Sequence, residues 1–196
     1  MPNRDNNLEG ILRYNEEFVK NHEYEKFNTS KHPDRKMVIV SCMDTRLTEL
    51  LPNAMSIKNG DAKIIKNAGG VVVHPFGSAM RSILVSIYSF DVNEVYIVGH
   101  EECGMANLDT DYMVGKMLEK GIDERTIETL LHSGMDVKEW LHGFSCVEEA
   151  VKNSVAIVRN HPLLPKKIAV HGLIIHPTTG ALRLIDNGNI AEQCEK

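Results

Sequence analysis

Two short runs in this sequence gather residue types that do chemistry together: Cys42-Met43-Asp44-Thr45-Arg46 and His100-Glu101-Glu102-Cys103-Gly104. Each follows a short apolar run rich in β-branched residues, Met37-Val38-Ile39-Val40 before the first and Val95-Tyr96-Ile97-Val98 before the second. Such runs read as buried strands, and in open α/β sheets the binding sites lie beyond the carboxyl ends of the strands. A thiol from one strand end, with an imidazole and a thiol from another, makes a set of three soft or borderline ligands suited to Zn2+. Three protein ligands leave a fourth tetrahedral position open, which is the mark of a catalytic rather than a structural zinc. In an extended chain residues 42, 44 and 46 point to one side, so Asp44 and Arg46 would accompany Cys42 into the same crevice. Taken singly, each residue has a plainer reading: Cys42 as a small buried hydrophobe, Asp44 as a helix cap, Arg46 as a solvated charge. A cysteine nucleophile activated by His100 is a different chemistry, and it leaves Cys103 without a role.

The rest of the chain supplies elements to hold these runs. An apolar stripe at Leu8, Ile11, Leu12, Phe18 and Val19 predicts an N-terminal helix, followed by the polar stretch Asn28 to Asp34. After Arg46 a brief helix is expected, stopped by Pro52. Ala62 to Lys66 reads as a second strand, ending at Asn67-Ala68-Gly69-Gly70, whose glycines permit a tight turn under the site. Met80, Ile83, Leu84, Ile87 and Tyr88 define the clearest amphipathic helix. Residues 105–142 are helical in tendency, and Val147, Ala150, Val151, Val155 and Val158 mark a further helix ending near His161-Pro162. Ile168 to Ile175 and about Ala181 to Ile185 are the last strands, joined by the turn Pro177 to Gly180. Continuous apolar strands separated by helices predict a mostly parallel sheet covered on both faces, about four parallel strands plus an antiparallel edge strand. The expected fold class is therefore a single α/β domain, with an N-terminal helical arm over 1–34 and the domain proper over 35–196.

The remaining candidates have structural readings. Cys146 is expected to be buried or idle, Cys194 lies in a polar tail, and His171 reads as a satisfied core histidine. His74, His161 and His176 each precede proline and read as loop residues, and Trp140 as packing. Asn67 to Gly70 lacks the Lys-Ser/Thr of a phosphate-binding P-loop.

Composition narrows the function classes. The 196 residues are 42% hydrophobic and 25% charged with a formal net charge of −5, enough for one self-sufficient core. An acidic balance argues against nucleic acid as partner and gives no polybasic reason to bind a membrane. No stretch reaches the roughly 18 apolar residues of a membrane span, and the N-terminus lacks the apolar region of a signal peptide. A cytoplasmic protein with reduced thiols is expected. The four cysteines lie too far apart in sequence for a zinc knuckle or a disulfide framework.

Over roughly residues 35–190 the sequence resembles the β-class carbonic anhydrases. Their C-x-D-x-R motif stands here as Cys42 to Arg46 and their H-x-x-C-G motif as His100 to Gly104, with Gly60-Asp61-Ala62 and Asn67 to Gly70 between them also fitting the pattern. The resemblance implies one zinc per chain on Cys42, His100 and Cys103, and a catalytic dyad of Asp44 and Arg46. The reaction implied is reversible hydration of CO2 to bicarbonate and a proton, by a zinc-bound hydroxide that the dyad orients. Backbone N–H groups near Gly104 could help hold bicarbonate. The resemblance further implies a homodimer or higher homo-oligomer, with the N-terminal helix lying on the partner. In some members the aspartate leaves its arginine and closes the zinc site. Members that use bicarbonate to favour closure carry Trp where this chain has Ile39, so an open site is expected at moderately alkaline pH. Lys66 stands where arginine is common, and Glu101 and Glu102 between the ligands are expected to face solvent. Alternatives that keep the same site are hydrolysis of a linear CO2 analogue, COS or CS2, and a non-catalytic zinc-binding protein, against which the retained Asp44 and Arg46 speak.

Overall fold

The computed structural model describes residues 7–188. The chain divides into two compact units, one up to Lys31 and one from His32 onward. In the first, helix α1 (Asn7–Lys20) has no buried residue, and Leu8, Ile11, Leu12, Tyr14 and Val19 all stand exposed along it. Phe18 packs its ring against Phe27, with centroids 6.2 Å apart.

The second unit is an α/β sandwich around a five-stranded sheet. Strands β1 (Met37–Cys42), β2 (Ala62–Asn67), β3 (Glu94–His100), β4 (Ala169–Ile175) and β5 (Leu182–Asp186) lie in the order β2-β1-β3-β4-β5. The first four are parallel and β5 pairs antiparallel with β4, the arrangement that the strand patterns predict. Strand β1 is buried at all six positions, which is why its sequence is apolar without alternation. Its side chains feed two cores. Val38 and Val40 join Met80, Ile83 and Ile87 of α3 (Ser78–Phe90) and Val151, Val155 and Val158 of α7 (Val147–Arg159) on one face. Met37 and Ile39 meet Leu47 and Leu51 of α2 (Leu47–Ala54) on the other. Burying each of these valines and isoleucines stabilises the fold by about 1.5–3 kcal/mol relative to exposure, before chain entropy is set against it.

Between β3 and α7 the chain makes an excursion through three short helices, α4 (Thr110–Glu119), α5 (Glu124–His132) and α6 (Val137–Leu141). Each begins at an aspartate, Asp109, Asp123 and Asp136, whose carboxylate accepts a backbone N–H of the first turn. The excursion returns beside its own start, where Asn107 N–H donates to the Phe144 carbonyl and Phe144 N–H to that of Met105.

Several readings of single residues need correction. Pro52 does not stop α2 but lies inside it, near its end; Met55 N–H still donates to the Leu51 carbonyl, so only the bond proline cannot make is lost. Tyr88 ends the α3 stripe exposed, its hydroxyl donating to the Leu163 carbonyl. Cys146 is exposed, not buried, at the start of α7, and Trp140 is 66% exposed rather than packed, while His161 is a loop residue as read, buried against the Phe76 ring. His171 is a core histidine as expected: its Nδ1 accepts from Gly188 N–H and its ring stacks on Tyr96. Cys194 lies outside the described residues. Among the described residues no helix is long and apolar enough to cross a membrane.

Candidate metal centre

The parallel pairing of β1 with β3 brings both loaded strand ends to one edge of the sheet. Cys42 closes β1 and His100 closes β3, while Cys103 comes back beside them after the turn at Glu101-Glu102. Cys42 Sγ and Cys103 Sγ are 3.9 Å apart, and the ligand atoms of Cys42, His100 and Cys103 all lie within 4.8 Å of one another. All three residues are buried, His100 completely.

The donor set fits a metal ion on three counts. His100 Nδ1 lies 2.8 Å from the Glu101 carbonyl oxygen. A carbonyl only accepts, so Nδ1 carries the proton and Nε2 presents a bare lone pair. That Nε2 is buried without a hydrogen-bond partner among the described residues, and such a group in a folded protein calls for a ligand. The sulfur separation also fits, since two thiolates about 2.3 Å from a tetrahedral zinc stand about 3.8 Å from each other. Finally, burial pushes the Cys103 thiol up, with the Cys42 sulfur beside it adding to the effect, so two thiolates this close require a cation between them.

Asp44 and Arg46 stand at the rim of this cluster. The Arg46 guanidinium forks onto the carboxylate, Nε donating to Oδ1 at 3.1 Å and Nη2 to Oδ2 at 2.9 Å, and the Arg46 backbone N–H donates to Oδ1 as well. Hydrogen bonding from Arg46 holds the Asp44 carboxyl down to about 2, so it is ionised throughout the neutral range. Its Oδ2 is 3.9 Å from His100 Nε2. Cys42, Asp44 and Arg46 come together, though not by the extended alternation read from the sequence: β1 ends at Cys42, Thr45-Arg46 form a turn with Arg46 at φ −61 and ψ −26, and Asp44 accepts from Arg46 rather than simply capping a helix.

The turn beneath the site is as tight as its glycines suggest. Gly70 has φ +65, and a Cβ there would lie 2.6 Å from the Cys42 nitrogen, so no other residue fits. Asn67 closes this turn with its side chain, which exchanges two hydrogen bonds with the Val71 backbone. Lys66, from the neighbouring strand, donates to the Cys42 carbonyl at 3.2 Å, and burial lowers its pKa.

Glu102 was expected to face solvent, and it is exposed, yet its carboxylate accepts from Arg46 Nη1 at 3.0 Å. Sequence alone offered only its position between two ligands as a signal. Phe144 and Met105 are further residues that the patterns left unassigned. They line the cavity of about 1160 Å³ into which the cluster opens, with Val71, Leu108, Met113 and Trp140 among the other apolar walls and Gly104 at its edge. Gly104 borders open space: a Cβ added there would meet nothing within 4 Å.

Compared with known proteins, residues 37–182 match the carbonic anhydrase family. A Bacillus subtilis protein provisionally named a carbonic anhydrase, YvdA, is 56% identical over 181 residues, 92% of either chain. A carbon disulfide hydrolase from Acidithiobacillus thiooxidans is 35% identical over 76% of this chain and 77% of its own. Among solved structures, β-carbonic anhydrase isoform I of Trichomonas vaginalis superposes with a TM-score of 0.82 at 39% identity, covering 92% of this chain and 98% of that one. A match that runs from the first residue of β1 to the first of β5, and so spans both motif-bearing strand ends, makes this chain a member of the β-class carbonic anhydrase family.

Proposed function

We propose that this protein catalyses the reversible hydration of CO2 to bicarbonate and a proton, with one zinc ion held by Cys42, His100 and Cys103. The observation that carries this reading is the unpartnered His100 Nε2, buried between two thiols and beside an ionised Asp44. The chemistry such an ion supplies is the acidification of water to a nucleophile near neutral pH. Asp44, kept ionised by Arg46, accepts an O–H hydrogen bond beside the cluster and so orients the attacking oxygen's lone pair. The apolar walls suit a small linear substrate without a dipole. The Gly104 N–H, at the cavity edge, is the proposed donor to the bicarbonate oxygen.

We further assign the exposed apolar row of α1 to contact with a second copy of the chain, in a homodimer or a higher homo-oligomer of a cytoplasmic protein. The cavity is many times larger than CO2, which leaves room for a neighbouring copy to narrow it.

The test is stopped-flow CO2 hydration from pH 6.5 to 9 on protein of assayed zinc content. Zinc near one per chain and a rate that rises with pH are expected; zinc without hydration at any pH would overturn the reading. Cys103→Ala should lose zinc and activity together, and metal analysis of that variant checks the ligand assignment. A second reading has an observation of its own, the likeness to carbon disulfide hydrolase: hydrolysis of CS2 or COS on the same site. Comparing turnover of CO2 with that of COS and CS2 on one preparation separates the two.

A further inference from the structure

Arg46 is gripped from two sides, and only one of the two belongs to the aspartate that it serves. Nε and Nη2 fork onto Asp44, while Nη1 donates to Glu102 Oε2 at 3.0 Å and Nη2 also donates to the Glu102 carbonyl at 3.2 Å. Glu102 offers both acceptors from a left-handed backbone, φ +55, a conformation that residues other than glycine adopt rarely and that clusters at functional sites. In that conformation residue 102 turns toward Arg46 while the next residue, Cys103, turns in to Cys42. The guanidinium thus ties the loop after β1 to the loop after β3, the two loops that carry the site.

We propose that Glu102 is a positioning residue, which holds the Arg46 guanidinium at the Nη1–Nη2 edge next to the one that Asp44 occupies and so keeps the Asp44 carboxylate at a fixed place beside the Cys42–His100–Cys103 cluster. The proposal rests on the CO2-hydration reading above for its effect on rate, though not for the hold itself. A purely stabilising role does not account for the contact. The Glu102 side chain is 69% exposed and that of Arg46 40%, and ion pairs so exposed contribute little to stability. What a second acceptor does provide is orientation. With Asp44 alone, rotation about the Nε–Cζ bond exchanges the two Nη groups at the cost of one hydrogen bond. With Glu102 on Nη1 the same rotation breaks contacts at both ends. The reach matters too: Asp at 102 would withdraw the carboxylate by one methylene, about 1.5 Å, and leave the backbone carbonyl as the only remaining grip.

The experiment compares Glu102→Ala, Glu102→Gln and wild type in the zinc-loaded protein. Glu102→Ala should fold with unchanged Tm and zinc content, lower kcat about tenfold, the low end for groups behind a metal's direct ligands, and leave KM unchanged. Glu102→Gln keeps the reach and an acceptor oxygen and should recover most of the rate. In side-chain 15N spectra, exchange between the two Nη groups of Arg46 should run about fivefold faster in Glu102→Ala. Finally, Glu102→Ala should cost nothing further when placed on Arg46→Ala, since it acts through that arginine. A wild-type kcat in Glu102→Ala, an unchanged Nη exchange rate, or an equal loss in the Arg46→Ala background would each overturn the proposal. If wild type hydrates no CO2 the function reading falls, and the exchange measurement still decides whether Glu102 holds Arg46.

Discussion

Arg46 does two things to Asp44 at the scale of single residues: it fixes where the carboxylate sits and it fixes its charge. The second effect has a sign that can be worked out. A carboxyl held at about 2 instead of 3.8 favours the folded state only while it is ionised. That contribution is complete above pH 3.8 and disappears as the pH falls through about 2. Asp44 therefore does not titrate between pH 6.5 and 9, and an inflection of kcat in that window belongs to another group. Replacing Arg46 by Ala should bring the Asp44 carboxyl back up toward 3.8, read from its 13C shift during an acid titration. An unchanged midpoint would mean that the fork of hydrogen bonds is not what holds it down. His100 shows the same economy of cause: the Glu101 carbonyl selects its tautomer, and the tautomer decides which nitrogen faces the sulfurs.

Helix α7 decides, among the elements, how firmly the end of β3 is seated. Gly99, one residue before His100, lies under this helix, and a Cβ there would come 2.7 Å from Val151 Cγ2 and 3.0 Å from Val147 Cγ1. The helix can lie this close to the sheet only because the strand has no side chain at that point. Gly99→Ala should therefore destabilise the fold by about 1–3 kcal/mol through overpacking and weaken metal binding by displacing His100. Urea unfolding and metal titration read the two effects. Adding Val151→Ala removes the facing methyls and should restore metal binding more completely than stability, since the second substitution itself gives up burial. The excursion over α4, α5 and α6 has a looser part: α4 and α5 bury no residue, and its contribution is the apolar wall formed by Met105, Met113, Trp140 and Phe144.

Across the molecule the exposed apolar residues are unevenly spread, and among the described residues the row on α1 is the longest within one helix. Leu8, Ile11, Leu12 and Val19 are each more than half exposed, a costly arrangement for a helix that stays in water. On the proposed assembly, Leu12→Glu should shift the protein toward monomer, weakening the dimer Kd at least about tenfold, the equivalent of one leucine left unburied. Sedimentation equilibrium over a range of concentrations reads this. A variant as dimeric as wild type would take α1 out of the interface.

Much of the molecule could be read from residue types in order. The apolar runs determined the three central strands β1, β3 and β4, because burial on both faces of a strand leaves few polar positions to place, and the short turn before β5 determined the antiparallel edge. Cys42, Asp44, Arg46, His100 and Cys103 were legible as one constellation because each stands at or just past a strand end, where an α/β sheet gathers its chemistry. Pro52 misled because a proline near the end of a helix removes one hydrogen bond without breaking the turn. Trp140 misled because how far a short helix is buried depends on what the excursion folds over, which local sequence does not record. The grip of Glu102 on Arg46, the tautomer of His100 and the close seat of α7 on Gly99 were decided only by tertiary structure. The first and last depend on atoms from separate elements, which meet only once the sheet has closed, and the tautomer on how the chain turns at the end of β3, which brings the neighbouring Glu101 carbonyl to His100 Nδ1.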